Sequence, residues 1–518
     1  MSDVENNFSN QLVLIKEETD VLKGIIVDYK NGKILSTTTL DCKKFLDKDI
    51  PYVFFRRVKA VFLYIPELIP PDFSSNYEFR KTLKSKFDAA KISYYFFNEF
   101  QWDFTNMLIS VEFCAPKIDD ILLLIEIYDN EFVGFIAYQF TERGYIHSRK
   151  HFIKIDDTES DEYYYWQILN GIDPEALFIH GNSLIMMDRL KRIFGSKKVF
   201  TFGEKWNFDE SKFLLEHSKW LFDKSYIQYH VRPSNFEIVC LNAKFGDSKH
   251  AFISFDEHFV LPLSKTLIVK KIVNYCNISI EQKDGGTPKI LDSWLPEQNC
   301  HQHEITLSID LNGFIDFSTK AIVWSNVKTL PKLLTENDFK VPVIAFSENL
   351  SFICVYKNGK YEYLNSWNGK FGMDLYISFD EEKPKYCQKA LEAVRTKPTF
   401  VVHNIFEIMP KSPENVPECA FHDFKITKDE ENPVLLEFDN FDGTRKHASP
   451  EFLMALLLRQ HLKAIKKEIG KKSKKIAFAT FDELSDEEWN RVNMKLTEAC
   501  EMVKTECEFF DLRKLRKL

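Results

Sequence analysis

The chain has 518 residues and a mass of 61.0 kDa, enough for several hydrophobic cores rather than one. With 44% hydrophobic and 28% charged residues it has the composition of a globular protein and not of a disordered one. A net charge of -8 argues against a nucleic-acid footprint, and no apolar run reaches the length that spans a membrane.

The start, MSDVENNFSNQ, has neither a basic segment nor an apolar core, so no signal peptide is expected and the expected location is cytoplasmic. Ten cysteines without a CxxC pair favour reduced thiols. Phe is frequent at 47 and Gly scarce at 17. Aromatics suit sheet-rich cores, whereas loops that wrap phosphates need residues without side chains.

In chain order, Gly24–Tyr29 and Asn31–Leu35 predict a hairpin turning at Asn31-Gly32. The run VKAVFLYIP (58–66) predicts a strand. Ser75 to about Ala90 predicts a helix with Phe79, Leu83, Phe87 and Ala90 on one face. Residues 121–138, ILLLIEIYDNEFVGFIAY, read as two strands around the turn Tyr128-Asp129-Asn130-Glu131. Residues 174–195 read strand, turn, helix, with Leu184, Met187, Leu190 and Ile193 as the apolar face.

From about 232 to 325 short strands follow one another closely, which predicts a compact sheet sandwich. Its clearest hairpin is ITLSIDLNGFIDFST, with Asn312-Gly313 at the tip. Cys300-His301-Gln302-His303 offers potential metal ligands, but no second cluster lies nearby, so a polar loop is expected and no metal site. The last third returns to mixed α and β. One helix follows the cap Ser449-Pro450-Glu451 and runs from Phe452 to about Ile469. Another starts at the capping box Ser485–Glu488, with Trp489, Val492, Leu496, Ala499 and Val503 along one side. The basic run 466–475 and the end Arg513–Lys517 predict solvated surface.

An internal repeat is expected between residues 27 onward and 437 onward. Both read hairpin, helix-like link, basic turn, buried strand, acidic loop, long helix.

SPEFLMALLLRQHLKAIKKEIGKKSKKIAFATFDELSDEEWNRVNMKLTEA (449–499) resembles the seventy-kilodalton heat-shock chaperone family over its helix, "G-K-K-x-x-x-A" turn, "AVVTVPAYF" strand and following helix. VIAFSENLSFICVYKNGKYEYL (343–364) stands where that family has its opening nucleotide hairpin. FVVHNIFEIMP (400–410) is similar to its next segment. RVKAVFLYIP (57–66), FFNEF (96–100), the 121–138 hairpin and LFIHGNSLIMMDRLKRIF (177–194) resemble later parts of its ATPase domain, in order. HEITLSIDLNGFIDFSTK (303–320) is similar to the last hairpin of its peptide-gripping sandwich.

The resemblance implies an α/β plus all-β fold, with actin-like, ribonuclease-H-like ATPase-type lobes flanking a β-sandwich. Residues 1–230 would be a degenerate ATPase-like domain lacking its first segment, 231–330 the peptide-binding-like sandwich, and 335–518 a second partial lobe. Either the last segment completes the first in a permuted domain, or two partial domains stand side by side.

The family's first phosphate hairpin reads "D-L-G-T-T"; here it is Ala345-Phe346-Ser347-Glu348-Asn349. Its second reads "D-L-G-G-G-T"; here it is Glu126-Ile127-Tyr128-Asp129-Asn130-Glu131. No glycine remains, and like charges this close in a partly desolvated cleft cost about 4 kcal/mol at an effective dielectric near 20. Glu99 matches the family's catalytic-site glutamate. His180-Gly181-Asn182-Ser183-Leu184 stands for the adenosine loop "G-G-S-T-R", leaving Gly181 and Ser183 as a remnant cofactor-binding loop or as a plain turn and helix cap. Lys389 is the nearest match to the catalytic lysine.

No catalytic residue, metal or cofactor is therefore expected, and the chain reads as a pseudo-ATPase. The resemblance implies polypeptide clients or co-chaperones as partners, without nucleic acid or membrane. The alternative is an ATP-binding chaperone using ATP or ADP with Mg.

Overall fold

A computed structural model of the protein describes residues 10–512 except 19–20, 55–56, 115, 129–130, 157, 204–205, 207, 236, 246–247, 257–258, 282–285, 338–339, 413–415 and 417–423. The fold is mixed α/β with several separate sheets. Contacts divide the chain into two compact units. The first is Met1–Ile238, Phe255–Ser264 and Leu307–Asp316; the second is Val239–Ser254, Lys265–Thr306 and Phe317–Leu518.

In the first unit, β1 (Gln11–Glu18), β2 (Val21–Asp28), β3 (Ile34–Leu40), β4 (Val58–Tyr64) and β5 (Ser93–Phe97) form a sheet in the order β3-β2-β1-β4-β5. Strands β1 to β3 make an antiparallel meander, and β1, β4 and β5 run parallel. Helix α1 (Asn76–Ala89), capped by Ser75, connects β4 to β5 and buries Phe79, Leu83 and Phe87. Each such side chain contributes roughly 2 kcal/mol by leaving water. The continuous run Leu12-Val13-Leu14-Ile15 is buried on both faces. Val13 and Ile15 face the α1 side, while Leu12 and Leu14 face the opposite core, as the period of two dictates.

That opposite core is shared with a second sheet. Helix α2 (Glu99–Ser110) leads to β6 (Ile121–Tyr128), β7 (Phe132–Thr141) and β8 (Gly144–Lys154). Then come α3 (Asp161–Leu169), β9 (Ala176–Gly181), α4 (Leu184–Ile193), β10 (Lys198–Gly203) and α5 (Glu210–Phe222). The order is β8-β7-β6-β9-β10, with the same alternation of antiparallel and parallel pairs. Trp102, Phe104 and Met107 of α2 and Phe213 and Trp220 of α5 pack between the two inner faces.

Among the described residues between 238 and 322 the regular elements are strands: β11 (Ile238–Phe245), β12 (Ser248–Phe255), β13 (Leu263–Lys270), β14 (Cys276–Glu281), β15 (Lys289–Trp294), β16 (Gln302–Ile309) and β17 (Ile315–Ile322). They form a sheet β12-β11-β14-β15 and a sheet β13-β16-β17. The β16–β17 turn carries Gly313 at φ +78, a left-handed conformation that suits glycine. In the first unit, Arg80 donates to the Asn312 carbonyl (3.0 Å) and Asn312 Oδ1 accepts from Phe96 N (2.9 Å).

The second unit repeats the five-strand plan. Helix α6 (Ser325–Glu336) precedes β18 (Val343–Ser347), β19 (Leu350–Lys357) and β20 (Lys360–Tyr363). A long excursion with a small three-stranded sheet at Lys425–Thr427, Leu435–Asp439 and Arg445–Ala448 follows. The chain then enters α7 (Pro450–Ile469), β21 (Lys475–Thr480), α8 (Asp486–Met502) and β22 (Glu506–Phe510). The order is β20-β19-β18-β21-β22, again antiparallel then parallel. The capping box Ser485–Glu488 opens α8, whose Val492, Leu496 and Ala499 are buried.

Three expectations need correction. Strand β1 was not read at all, because four apolar residues between polar ones suit a helix turn as well as a strand. Leu184 is 72% exposed rather than part of the α4 core face, and Met186, Met187 and Leu190 are the buried set. In the internal repeat, β4–α1–β5 does correspond in sheet position to β21–α8–β22. The hairpin at 435–448, however, lies in the small sheet, whereas β2–β3 belongs to the main one.

Candidate functional site

An open sheet with this order reverses direction between its first and fourth strands, and ligands settle outside the carboxyl ends of the strands at such a switch point. The described chain has three such places. Each joins the turn after a first strand to the loop after a fourth. Backbone N–H groups there are the natural anion holders.

In the first sheet, the Glu17 carboxylate near the end of β1 accepts from the backbone N–H groups of Glu67 (3.0 Å) and Leu68 (2.9 Å), which follow β4. In the third, the roles of strand and loop are exchanged. Asp482, after β21, accepts from Ser347 Oγ (2.5 Å) and from Glu348 N (3.0 Å) in the turn after β18. Asp482 is itself held by its N–H donating to Thr480 Oγ1 (3.0 Å). In both places a carboxylate of the protein occupies amides that could otherwise meet an anion.

The Ser347-Glu348-Asn349 turn is tied down further. Glu348 takes a left-handed φ of +49, which a non-glycine residue adopts at a cost of about 1 kcal/mol. Asn349 Oδ1 accepts from Asn404 N (2.8 Å), and the Asn349 carbonyl accepts from Leu375 N (2.8 Å). Burial pushes the Glu348 carboxyl up to about 7, with Glu407 and Asp482 adding to it and Lys270 opposing. Burial likewise raises Asp482.

A cavity of about 530 Å³ opens beside this turn, wholly within the second unit. Two ion pairs lie in its wall, Lys270–Glu407 and Lys271–Asp374, each at 2.6 Å. Ala345 is fully buried in the α6 core and does not line this cavity.

At the second sheet's switch point the end of β6 brings Glu126 beside α2. Burial pushes Asp103 up to about 7, and the charges of Glu126 and Glu99 add to the shift. Glu126 is also raised by burial, with the Tyr128 hydroxyl donating to it and Lys150 opposing the shift. Glu99 itself is exposed, at the first turn of α2. This is a place that repels anions. Asp129 and Asn130 of the adjoining turn lie outside the described residues.

Gly181 and Ser183, the remnant-loop residues, have structural work. A Cβ on Gly181 would come within 2.7 Å of Ile127 Cβ and 2.9 Å of its carbonyl oxygen, so β6 and β9 can close only over glycine. Ser183 Oγ caps α4 by accepting from Met186 N at 3.3 Å. Lys389 is exposed and does not line the cavity.

The Cys300–His303 segment is not a surface polar loop: Cys300, His301 and His303 are fully buried. His303 Nδ1 accepts from Ile272 N (3.1 Å), so Nε2 carries the proton and donates to the Glu297 carbonyl (2.8 Å). His301 accepts from Trp324 N (2.9 Å) and donates to the Lys370 carbonyl (2.9 Å). Every ring nitrogen is engaged. Among the described residues no group of three or more His, Cys, Asp or Glu side chains is arranged to hold a metal ion. No helix there is long and apolar enough to cross a membrane.

Sequence reasoning found the altered turn but missed Asp482, Glu17, Lys270, Lys271, Asp374 and Glu407. For Asp482 a signal existed, since it directly follows the strand KIAFAT and the residue pair Phe481-Asp482 sits where a parallel strand ends. Compared with known proteins, the chain matches no family model and no curated protein sequence.

Proposed function

We propose that the protein is a catalytically degenerate heat-shock-70-like chain that binds polypeptide or a chaperone partner without hydrolysing ATP. The observation that carries this is the plugged turn: Ser347 Oγ and Glu348 N–H are both spent on the Asp482 carboxylate. A phosphate would have to displace a buried carboxylate and then sit beside two acids, Glu348 and Glu407.

The five-strand order, met three times, is the one an actin-like, ribonuclease-H-like lobe has, and it supports that ancestry by fold analogy. On this view residues 11–203 hold two lobes, each with its own opening hairpin. The strands of 238–322 are the sandwich, and residues 325–510 are a third lobe. Polypeptide binding is supported by the resemblance of the 303–320 hairpin to the peptide-gripping sandwich and by the edge strands available for backbone pairing.

The test is suppression of aggregation of a chemically unfolded client by the full chain, with and without Mg-ATP. Suppression that is unchanged by nucleotide is expected. Suppression that requires Mg-ATP, or steady phosphate release, contradicts the proposal, and no suppression at all removes the polypeptide half of it.

A further inference from the structure

Near the end of α8, Cys500 meets Cys507, the second residue of β22, across a turn held by Thr505 N donating to the Cys500 carbonyl (3.1 Å). Both are free thiols. The Cys500 thiol donates a hydrogen bond to the Cys507 sulfur. Thr497, one turn earlier on α8, gives its own proton to the Asn493 carbonyl (2.8 Å), so its Oγ1 accepts from the Cys507 thiol at 3.8 Å. The two sulfurs are therefore held in contact on one side of α8, where a side-chain rotation suffices to join them.

Their surroundings differ. Cys500 is 1% exposed, whereas Cys507 is half-buried. Burial holds the Cys500 thiol above its ordinary range, and Cys507 adds to the shift. Both line an open cleft of about 890 Å³, wholly within the second unit. Lys472, Lys474 and Lys504 stand exposed along it, while Lys475 is spent on Glu508 (2.6 Å). Against them stand Glu501 and Glu506, also exposed. Cations beside a half-buried sulfur favour its thiolate, the form that attacks, and draw negatively charged reagents to it.

We propose that Cys500 and Cys507 are a redox-active pair, which a small, negatively charged disulfide oxidises to an intramolecular disulfide. Cys507 loses its proton to solvent and attacks one sulfur of the reagent. The reagent's S–S bond breaks, a mixed disulfide forms on Cys507, and the first thiolate leaves and is protonated. Cys500 then attacks the Cys507 sulfur, and its proton goes to the second departing thiolate. The pair gives up two electrons and the reagent takes them, leaving two small thiols. Cys500 needs no exposure for its step, because its target is the neighbouring sulfur. This chemistry stands apart from what the chain does with polypeptide or nucleotide.

The test exposes the full, folded chain to oxidised glutathione, which is anionic, and to cystamine, which is cationic. Remaining thiols are then alkylated and the chain is digested with trypsin for mass spectrometry. Cleavage after Lys495, Lys504 and Arg513 puts Cys500 in peptide 496–504 and Cys507 in peptide 505–513, so a bond between them appears as one joined species. That species is expected to form about tenfold or more faster with oxidised glutathione than with cystamine at low salt, and the ratio to fall as salt is raised. Cys500→Ser is expected to stop the reaction at glutathione attached to Cys507, and Cys507→Ser to leave Cys500 unmodified. The parent chain decides the pairing even if either variant fails to fold. Separately alkylated peptides from the folded parent, a joined species that forms only in urea, or glutathione taken up by Cys500 in a folded C507S protein would overturn the pairing. Cystamine reacting as fast as oxidised glutathione would overturn the assignment of an anionic reagent.

Discussion

At Glu348 a single side chain reports on the whole turn. Its carboxyl is pushed up to about 7 by burial and by Glu407 and Asp482. A raised folded-state value means the carboxyl contributes fully below its unfolded value near 4.5, and the contribution is lost as pH rises through about 7. Glu348→Gln removes that loss. Urea denaturation should find the variant more stable than the parent at pH 8 by about 1–2 kcal/mol, after allowance for partial exposure, with the gap closing by pH 5.

His461 works in the opposite direction. Trp367 Nε1 donates to Ser351 Oγ (2.9 Å), Ser351 Oγ donates to His461 Nε2 (2.8 Å), and His461 Nδ1 donates to the Leu457 carbonyl (2.8 Å). Burial lowers its value to about 4. Between pH 6.5 and about 4 the unfolded chain takes a proton that the folded one refuses, so stability falls as pH drops through that window. At most about 1.4 kcal/mol per pH unit comes from this one ring. His461→Gln should flatten the acid limb of the stability curve, whatever it costs at pH 8. An acid limb as steep as the parent's would contradict the buried neutral ring.

At the scale of elements, two substitutions separate packing from capping. Gly181→Ala places a methyl group against Ile127 where β6 and β9 close, and should cost about 1–3 kcal/mol in a urea titration. Asp482→Ala strips two hydrogen bonds from the β18–β19 turn, and should cost a similar amount. A neutral effect at either position would mean the strand ends are looser than described.

Elements were legible to the degree that their signals are local. The Ser75 cap with Phe79, Leu83 and Phe87 gave α1, and Ser485–Glu488 gave α8, because capping and helical spacing are written within one or two turns. The β6–β7 hairpin was legible for the same reason. Strand β1 was not, since its pairing with β4 joins residues far apart and leaves no mark in QLVLIKEE itself. That no glycine stands at 345–349 was plain in the sequence. What fills the turn was not, because Asp482 lies 134 residues from Glu348.

For the whole molecule, the same five-strand plan recurs three times, and acidic side chains stand at each of its switch points. Glu17 takes the amides after β4, Asp482 takes those of the β18–β19 turn, and Asp103, Glu126 and Glu99 gather acid at the end of β6. Each place disfavours an anion by a different set of residues, so no single substitution should create nucleotide binding. The most direct measurement is isothermal titration of the full chain with Mg-ATP and with Mg-ADP. No heat of binding up to millimolar nucleotide is the result these closed switch points predict. Micromolar binding of either nucleotide would contradict them.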